Sequence, residues 1–383
     1  MAMTEPVVLE RREMFREIKQ LCGANNWTNW FVLLREYAIF AVTVAACVGW
    51  YHHVSASGWS LMWAVPVYFL AVLVIGTWTQ NRLGVLIHES SHYSLFKNRT
   101  LNELASNWLV AFPLFAAINN YRAGHWGHHR HVNDPEHDPD LLRLQKHQPR
   151  HFPIGRGRFL WEYCVLQLMP HKALSYLKGR ALYAMIPAKN QEPAKNIEVL
   201  PRPLFRVLCV SYYVLLFAAL TVWGWWPHYL LLWVVPMVTF YPVVLFLREI
   251  AHHGNYPDNG DYTNSRVYGG KWLEREIFFP FGEWNHVLHH MFPTVPWYRT
   301  REAHEVLMRY PPYRDNVVYC DGFFFKGDPR SDAPTVLDVL AKPSRVYLRS
   351  QMSRTNPDGI RHSTAAEVGS IGEPIESWHG GES

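Results

Sequence analysis

Three groups of closely spaced histidines are the residues of this 383-residue sequence best suited to chemistry. They are His88-Glu-Ser-Ser-His92, His125-Trp-Gly-His128-His129 and His286-Val-Leu-His289-His290, and a smaller pair, His252-His253, precedes the last group. Helical residues three and four positions apart share a face, so each group can aim two or three imidazoles at one point. Imidazole binds iron, zinc, copper and nickel. Eight imidazoles, or nine with His253, are too many for one ion and predict two adjacent metals.

Acidic side chains near these histidines could accept a hydrogen bond from the second ring nitrogen of a metal-bound imidazole. Such a bond fixes the imidazole tautomer and orientation. The candidates for this supporting role are Glu89, Asp138, Asp140 and Glu249, together with His252. Three further acids, Asp134, Glu136 and Glu283, are also close in sequence to the histidine groups. Glu249 lies four residues before His253 and so could share its helical face.

Four apolar stretches must position the histidines, and each is long enough to cross a bilayer, which takes about 20 residues. Their predicted bounds are 31–51, 61–79, 204–226 and 229–247. Charged residues make up 18% of the chain, below the ~25% that is usual for soluble proteins. The mean hydropathy of −0.13 indicates a large polar portion beside the apolar stretches.

The distribution of basic residues predicts the orientation of these stretches. The short connections 52–59 and 223–228 contain no Lys or Arg, whereas the N-terminal segment, residues 81–202 and residues after 248 are rich in both. Positive charge marks the cytoplasmic side of a membrane protein. We therefore expect two hairpins with both termini in the cytoplasm, most simply in a bacterial inner membrane. The alternative is that the stretches are buried helices of a soluble protein.

The remaining segments predict a cap around the apolar stretches. Residues 104–118 are apolar but short and contain Pro113, which predicts a dip into the membrane face and a return. Residues 155–170 and 171–187 predict aromatic-rich interfacial helices. The chain divides into a cytosolic N-terminal segment, 1–30, a membrane domain, 31–343, and a polar, disordered tail, 344–383. No cleavable signal peptide is expected, and the five scattered cysteines predict no disulfide or thiolate metal site.

The order of the histidine groups resembles that of the membrane fatty-acid desaturase and hydroxylase family. Further matches are the strings NHVLHHMFPTVPWY at 285–298, HDPD at 137–140 and AHHG at 251–254, and the resemblance extends over about 31–310. It implies an all-α membrane protein with four transmembrane helices in two hairpins, and a cytosolic helical cap that holds two non-haem irons. It carries ligand roles onto His88, His92, His125, His128, His129, His286, His289 and His290. It also implies a ninth ligand, best matched by His253, with His252 as the alternative.

The resemblance implies O2-dependent oxidation of an unactivated C–H bond in a lipid or fatty-acyl substrate. Desaturation is the preferred interpretation, and lipid hydroxylation by the same kind of centre is the alternative. No cytochrome b5-like His-Pro-Gly-Gly segment is present in the sequence. Electrons are therefore expected from a separate donor, such as a ferredoxin, and no nucleic acid is expected as a partner.

Two other classes of protein share part of the histidine pattern. His88–His92 has the HExxH form of zinc proteases, in which Glu89 would be the general base. A protease of that kind leaves six or more clustered histidines without a role. A haem-binding electron carrier would need histidines in the middle of facing spans, and the first and third apolar stretches contain none.

Overall fold

The computed structural model describes residues 8–142, 152–172, 175, 200–255 and 260–343. Most of these residues are helical, as the sequence predicts. Four of the described helices are long and apolar enough to cross a membrane. They are Thr28–Ala56, Leu61–Ser91, Arg202–Val222 and Trp226–His253, named in chain order the first, second, third and fourth spans.

The second and fourth spans are longer than their apolar stretches. The second continues past the predicted end at 79 to Ser91, and the fourth continues past 247 to His253. The second span therefore carries His88 on its last turn with His92 directly after it, and the fourth carries His252 and His253 at its end, as their positions in the sequence predict. The third span ends at Val222 rather than at 226, because Gly224 adopts a φ of +67° and turns the chain towards the fourth span.

A sharply bent helix follows the second span. Its halves, Arg99–Leu114 and Ile118–Arg130, meet at 90°. The bend lies after Pro113, where Phe115 adopts a left-handed conformation with a φ of 51°. The break falls inside the predicted dip at 104–118, and its insertion into a membrane stays a prediction.

The second and fourth spans approach each other closely because glycine faces the fourth span at two positions. A Cβ atom on Gly84 would lie 2.7 Å from the Tyr241 hydroxyl, and one on Gly76 would lie 2.9 Å from the Cβ of Phe240. Between them, the buried Gln80 side chain donates to the Trp233 carbonyl at 2.7 Å. Small residues that let backbones approach, together with interhelical hydrogen bonds, are typical of helix packing in membranes. This contact sets the histidines at the two helix ends side by side.

Shorter elements surround the ends of the spans. The additional helices are Arg11–Leu21, the helical stretch 156–168, Trp272–Phe278, His286–Met291, Thr300–Met308, Pro311–Arg314 and Val336–Leu340. Two strands of two residues each, Val267–Tyr268 and Tyr319–Cys320, pair in parallel and add a small sheet to the predicted all-α fold. The predicted helix at 155–170 is thus present as a helix, and its interfacial position stays a prediction. Most of 171–187 and the whole tail, 344–383, lie outside the described residues.

The N-terminal helix packs against the helix that carries His286, His289 and His290. Met14 and Ile18 of Arg11–Leu21 are buried in one apolar cluster with Val287, Leu288 and Leu307. The ring of Phe15 meets that of Phe292 edge to face at 5.4 Å. The predicted separate segment, 1–30, therefore contributes to the packing around His286–Met291.

Candidate metal centre

All nine predicted ligands converge on one region at the ends of the second and fourth spans. Two groups of four histidines each have ligand nitrogens within 4.8 Å of one another. The first group is His88, His92, His125 and His289, and the second group is His128, His253, His286 and His290. A third set, His252, Glu283 and His286, meets the same criterion. The structure thus brings together residues that are up to 202 positions apart in the chain.

Two of the histidine-bearing helices contribute to both groups. In Ile118–Arg130, His125 belongs to the first group and His128 to the second. In His286–Met291, His289 belongs to the first group, while His286 and His290 belong to the second. Neighbouring helical positions differ by about 100° in direction, so a single short helix can face two adjacent points. This division places the two groups next to each other.

His129 completes the first group. Its Nε2 lies 3.1 Å from Nε2 of His125 and 3.0 Å from Nε2 of His289. In the second group, Nε2 of His253 lies 3.2 Å from that of His286 and 3.4 Å from that of His290. Metal–imidazole bonds of about 2.0–2.1 Å place neighbouring ligand nitrogens roughly 2.9–3.4 Å apart. The nitrogen spacings therefore fit two ions.

Several buried ring nitrogens of these imidazoles have no hydrogen-bond partner among the described residues. Among the described residues, both ring nitrogens of His92, Nε2 of His88 and Nδ1 of His125 are buried and have no hydrogen-bond partner. Buried polar atoms without a partner are costly in a folded protein. Burial also lowers the pKa of His289 well below its usual range, which keeps the ring neutral as metal binding requires. Neutral imidazoles whose ring nitrogens have no hydrogen-bond partner are suited to binding a metal.

Asp138 is the predicted acid that most clearly supports a histidine. Its two carboxylate oxygens lie 2.9 and 3.0 Å from Nδ1 of His128. The backbone N–H groups of Asn133 and Asp140 donate to the same carboxylate, which fixes its position. Asp140 thus supports Asp138 through its backbone. Glu249 lies close enough to His128 to interact with it electrostatically.

Glu89 accepts from the backbone rather than from a histidine, and His252 is hydrogen-bonded to protein groups at both ring nitrogens. The buried Glu89 carboxylate accepts a hydrogen bond from the Trp297 backbone N–H at 3.2 Å. His252 has Nε2 3.0 Å from Oε2 of Glu283 and Nδ1 3.3 Å from the Tyr268 hydroxyl. Both nitrogens of His252 are therefore engaged by protein groups, whereas His253 points into the second histidine group.

Glu283 is a residue of the centre that its sequence position does not single out from the other nearby acids. It is 5% exposed, and its Oε1 lies 2.8 Å from Nδ1 of His88. Burial alone would raise the pKa of the Glu283 carboxyl, but its hydrogen bonds and charge interactions with His88 and His252 lower that pKa well below its usual range. Its position three residues before His286 was the only available signal, since His88 and His252 are distant in the chain.

A buried ion pair links the helix of His125 to the end of the second span that carries His88. The sequence pattern does not predict this pair. The Arg122 guanidinium pairs with Glu103, and both side chains are almost fully buried. Arg122 also donates to the carbonyls of Ser91 and Ser90 at 2.9 and 3.3 Å. These carbonyls lie at the end of the second span, beside His92. Arg122 therefore holds the helix of His125 against the helix end that carries His88 and His92.

The sequence of this chain is similar to one family profile and to several known proteins. A sequence profile described as fatty acid desaturase matches residues 64–321. A dihydrorhizobitoxine desaturase of Bradyrhizobium elkanii is 25% identical over 352 residues, which cover 88% of this chain and 91% of the relative. A probable fatty acid desaturase of Sorghum bicolor is 25% identical over 84% of this chain and 76% of its own. An sn-1 acyl-lipid omega-3 desaturase (ferredoxin) of Nostoc is 26% identical over 59% of this chain and 63% of its own.

The relatives are desaturases, and desaturases are oxidoreductases. The family match covers all three histidine groups, and four helices of the described chain are suited to crossing a membrane. The chain therefore belongs to the fatty acid desaturase family of integral membrane oxidoreductases.

Proposed function

We propose that this protein desaturates an unactivated C–H position of a lipid or fatty-acyl substrate, using O2 at a histidine-ligated di-iron centre. The observation that carries this proposal is the presence of two adjacent groups of buried histidines with metal-like nitrogen spacings. Carbon–hydrogen bonds of an alkyl chain have no acidic proton, so side-chain acid–base chemistry alone is insufficient. Bound iron and O2 would supply the oxidising power.

The proposed ligands divide between the two ions as the two histidine groups divide. One ion would be held by His88, His92, His125, His129 and His289, and the other by His128, His253, His286 and His290. We assign the ninth ligand to His253 because both nitrogens of His252 already have protein partners. Imidazole is an ordinary ligand of iron.

The protein's own groups prepare this centre for the reaction. The Asp138 carboxylate accepts a hydrogen bond from Nδ1–H of His128, which leaves Nε2 available to the metal. The helix of His286–Met291 is capped by Asn285, whose side chain accepts from the Leu288 N–H at 3.0 Å. The buried surroundings exclude water, which protects a strongly oxidising centre from side reactions.

Two substrate classes are supported by the relatives. The Sorghum and Nostoc proteins are named for fatty acid and acyl-lipid desaturation, which favours an acyl chain. The Bradyrhizobium protein, which aligns over more of this chain than either, is named for dihydrorhizobitoxine. A substrate like dihydrorhizobitoxine is therefore the alternative to an acyl chain. The alternative reaction is hydroxylation, in which the same centre would form an alcohol.

The test of this proposal is metal and product analysis of purified protein. Protein prepared with iron under reducing conditions should contain two irons per chain and no haem absorption band. Incubation with O2, electrons and membrane lipids should yield products two hydrogens lighter than the substrate. Active protein with one zinc and negligible iron would instead support the HExxH protease, and a product one oxygen heavier would support hydroxylation.

The electron donor is expected to be a separate protein. A ferredoxin and its reductase should restore multiple turnover to purified protein that is inactive with O2 and substrate alone. Added salt should slow this reaction if charge complementarity steers the donor to the protein. Multiple turnover with no added donor would contradict the expectation of a separate carrier.

We also propose that the spans form two hairpins whose ends carry a cytosolic cap, with both termini in the cytoplasm of a bacterial cell. The support is that 52–59 and 223–228 lack Lys and Arg. Cysteine placed at Ser57 should react with an impermeant maleimide in intact cells, and cysteine placed at the exposed Glu305 should not. The background should lack the half-buried Cys22, Cys164 and Cys209. Equal labelling at both positions would overturn this topology.

A further inference from the structure

Glu283 contacts histidines that come from three separate parts of the chain. Its Oε1 lies 2.8 Å from Nδ1 of His88, at the end of the second span. Its Oε2 lies 3.0 Å from Nε2 of His252, at the end of the fourth span, and 3.6 Å from Nδ1 of His286. One buried carboxylate therefore lies beside three imidazoles, and two of them, His88 and His252, are within hydrogen-bond distance.

These contacts determine where the protons of the imidazoles lie. An ionised carboxylate only accepts hydrogen bonds, so its 2.8 Å separation from Nδ1 of His88 favours the proton on Nδ1 and the lone pair on Nε2. That Nε2 is buried and has no hydrogen-bond partner among the described residues. Nδ1 of His286, at 3.6 Å, is too far from the same carboxylate for a hydrogen bond, and its Nε2 faces that of His253 at 3.2 Å. His88 is in the first histidine group and His286 is in the second.

His252 receives a different proton arrangement from the same carboxylate. Its Nε2 must donate to Glu283, which leaves Nδ1 as an acceptor for the Tyr268 hydroxyl at 3.3 Å. The ring of His252 also stacks on that of His286, with centroids 3.8 Å apart and planes 13° apart. His252 thus packs as a support beneath a ligand candidate, and neither of its nitrogens is free for a metal.

The backbone around Glu283 is held in place by close packing on one side and a hydrogen bond on the other. Phe281 and Gly282 both adopt positive φ values, 53° and 80°. A Cβ atom on Gly282 would lie 2.4 Å from Oγ1 of Thr300, so the turn requires glycine. On the other side, the Tyr268 N–H donates to the Trp284 carbonyl at 2.7 Å. The turn is thus anchored on both sides.

We propose that Glu283 is a positioning residue that turns Nε2 of His88 towards the first metal position, and that His252, which holds Glu283 by a hydrogen bond, is its support rather than a ligand. This inference rests on the proposed two-metal centre. Partners that orient metal-bound imidazoles typically change metal affinity by about 10–100-fold when removed. Glu283 is expected to affect the metal of the first group, because His88 belongs to that group.

Titration with Co²⁺, followed by its visible absorption, tests the inference without relying on activity. Wild-type protein should bind two equivalents. Glu283→Gln should weaken one equivalent by about 10–100-fold, because its amide presents an N–H donor towards one imidazole that also donates. His252→Gln should keep both equivalents, and His253→Ala should weaken one.

The matched control is Glu89→Gln, since Glu89 is also 5% exposed but contacts a backbone N–H. It should leave both affinities within a few-fold of wild type. A second variant, Glu283→Asp, retains the charge but cannot reach His88 and His252 together, so at least one equivalent should weaken. If wild type binds two equivalents and both Glu283 variants bind them with unchanged affinity, the inference is wrong. Failure of wild type to bind two equivalents would instead contradict the proposed function.

Discussion

Replacing His128 or His289 by Ala should abolish turnover and lower the iron content, while the protein still inserts into the membrane. The two residues belong to different histidine groups, His128 to the second and His289 to the first. Each Nε2 position is surrounded by rings that are already committed to the centre, so no spare imidazole can replace it. Loss of one ligand also leaves its neighbours as buried, partnerless polar groups. Elemental analysis and product formation on the same preparations measure both effects.

His137→Ala is the control, because His137 lies in the same segment but is exposed and pairs with Asp134. It should retain iron and activity. Glu89→Gln separates the centre from an HExxH protease, whose general base would be lost completely in that variant. If Glu89→Gln removed all turnover with its metal intact while His128→Ala stayed active, the di-iron proposal would be wrong.

Replacing Arg122 by Met should cause a large loss of stability, well beyond that of breaking an exposed ion pair. The change leaves Glu103 buried without its cation and removes the donors to the Ser90 and Ser91 carbonyls. Breaking a buried ion pair by removing one partner costs roughly 3–5 kcal/mol. We expect a clear fall in the thermal unfolding midpoint in detergent. Metal affinity should fall as well, because His92 comes directly after Ser90 and Ser91 and its position would be less well fixed without the Arg122 contacts.

Arg301→Met is the matched control, since the pair of Arg301 with Glu305 is exposed. Exposed pairs contribute about 0–1 kcal/mol, so this variant should unfold close to wild type. The double variant Glu103→Leu/Arg122→Met removes both buried charges and should recover part of the lost stability. Equal midpoints for Arg122→Met and Arg301→Met would contradict the role assigned to Arg122.

Local spacing in the sequence was sufficient to predict the histidine helices and the spans. The i, i+3, i+4 pattern of His125, His128 and His129 and the matching pattern in 286–290 are both helical in the structure. The four apolar stretches likewise became the four candidate spans. These features follow from local helix periodicity and residue hydrophobicity, which depend on neighbours in the chain.

Only the tertiary structure decided how these pieces combine. The spacing predicted that the histidines of each sequence run could face one point. In the structure, however, His125 and His128 of one run face different metal positions, and so do His289 and His286 of another. The proposed assignment of the ninth ligand to His253 rather than His252 rests on the contacts of His252 with Glu283 and Tyr268, which are 30 and 15 residues beyond His253. Likewise, the role assigned to Arg122 and Glu103 depends on the contact of Arg122 with the end of the second span. Such contacts between distant segments depend on how helices pack, as at Gly84 against Tyr241, and local periodicity carries no information about that packing.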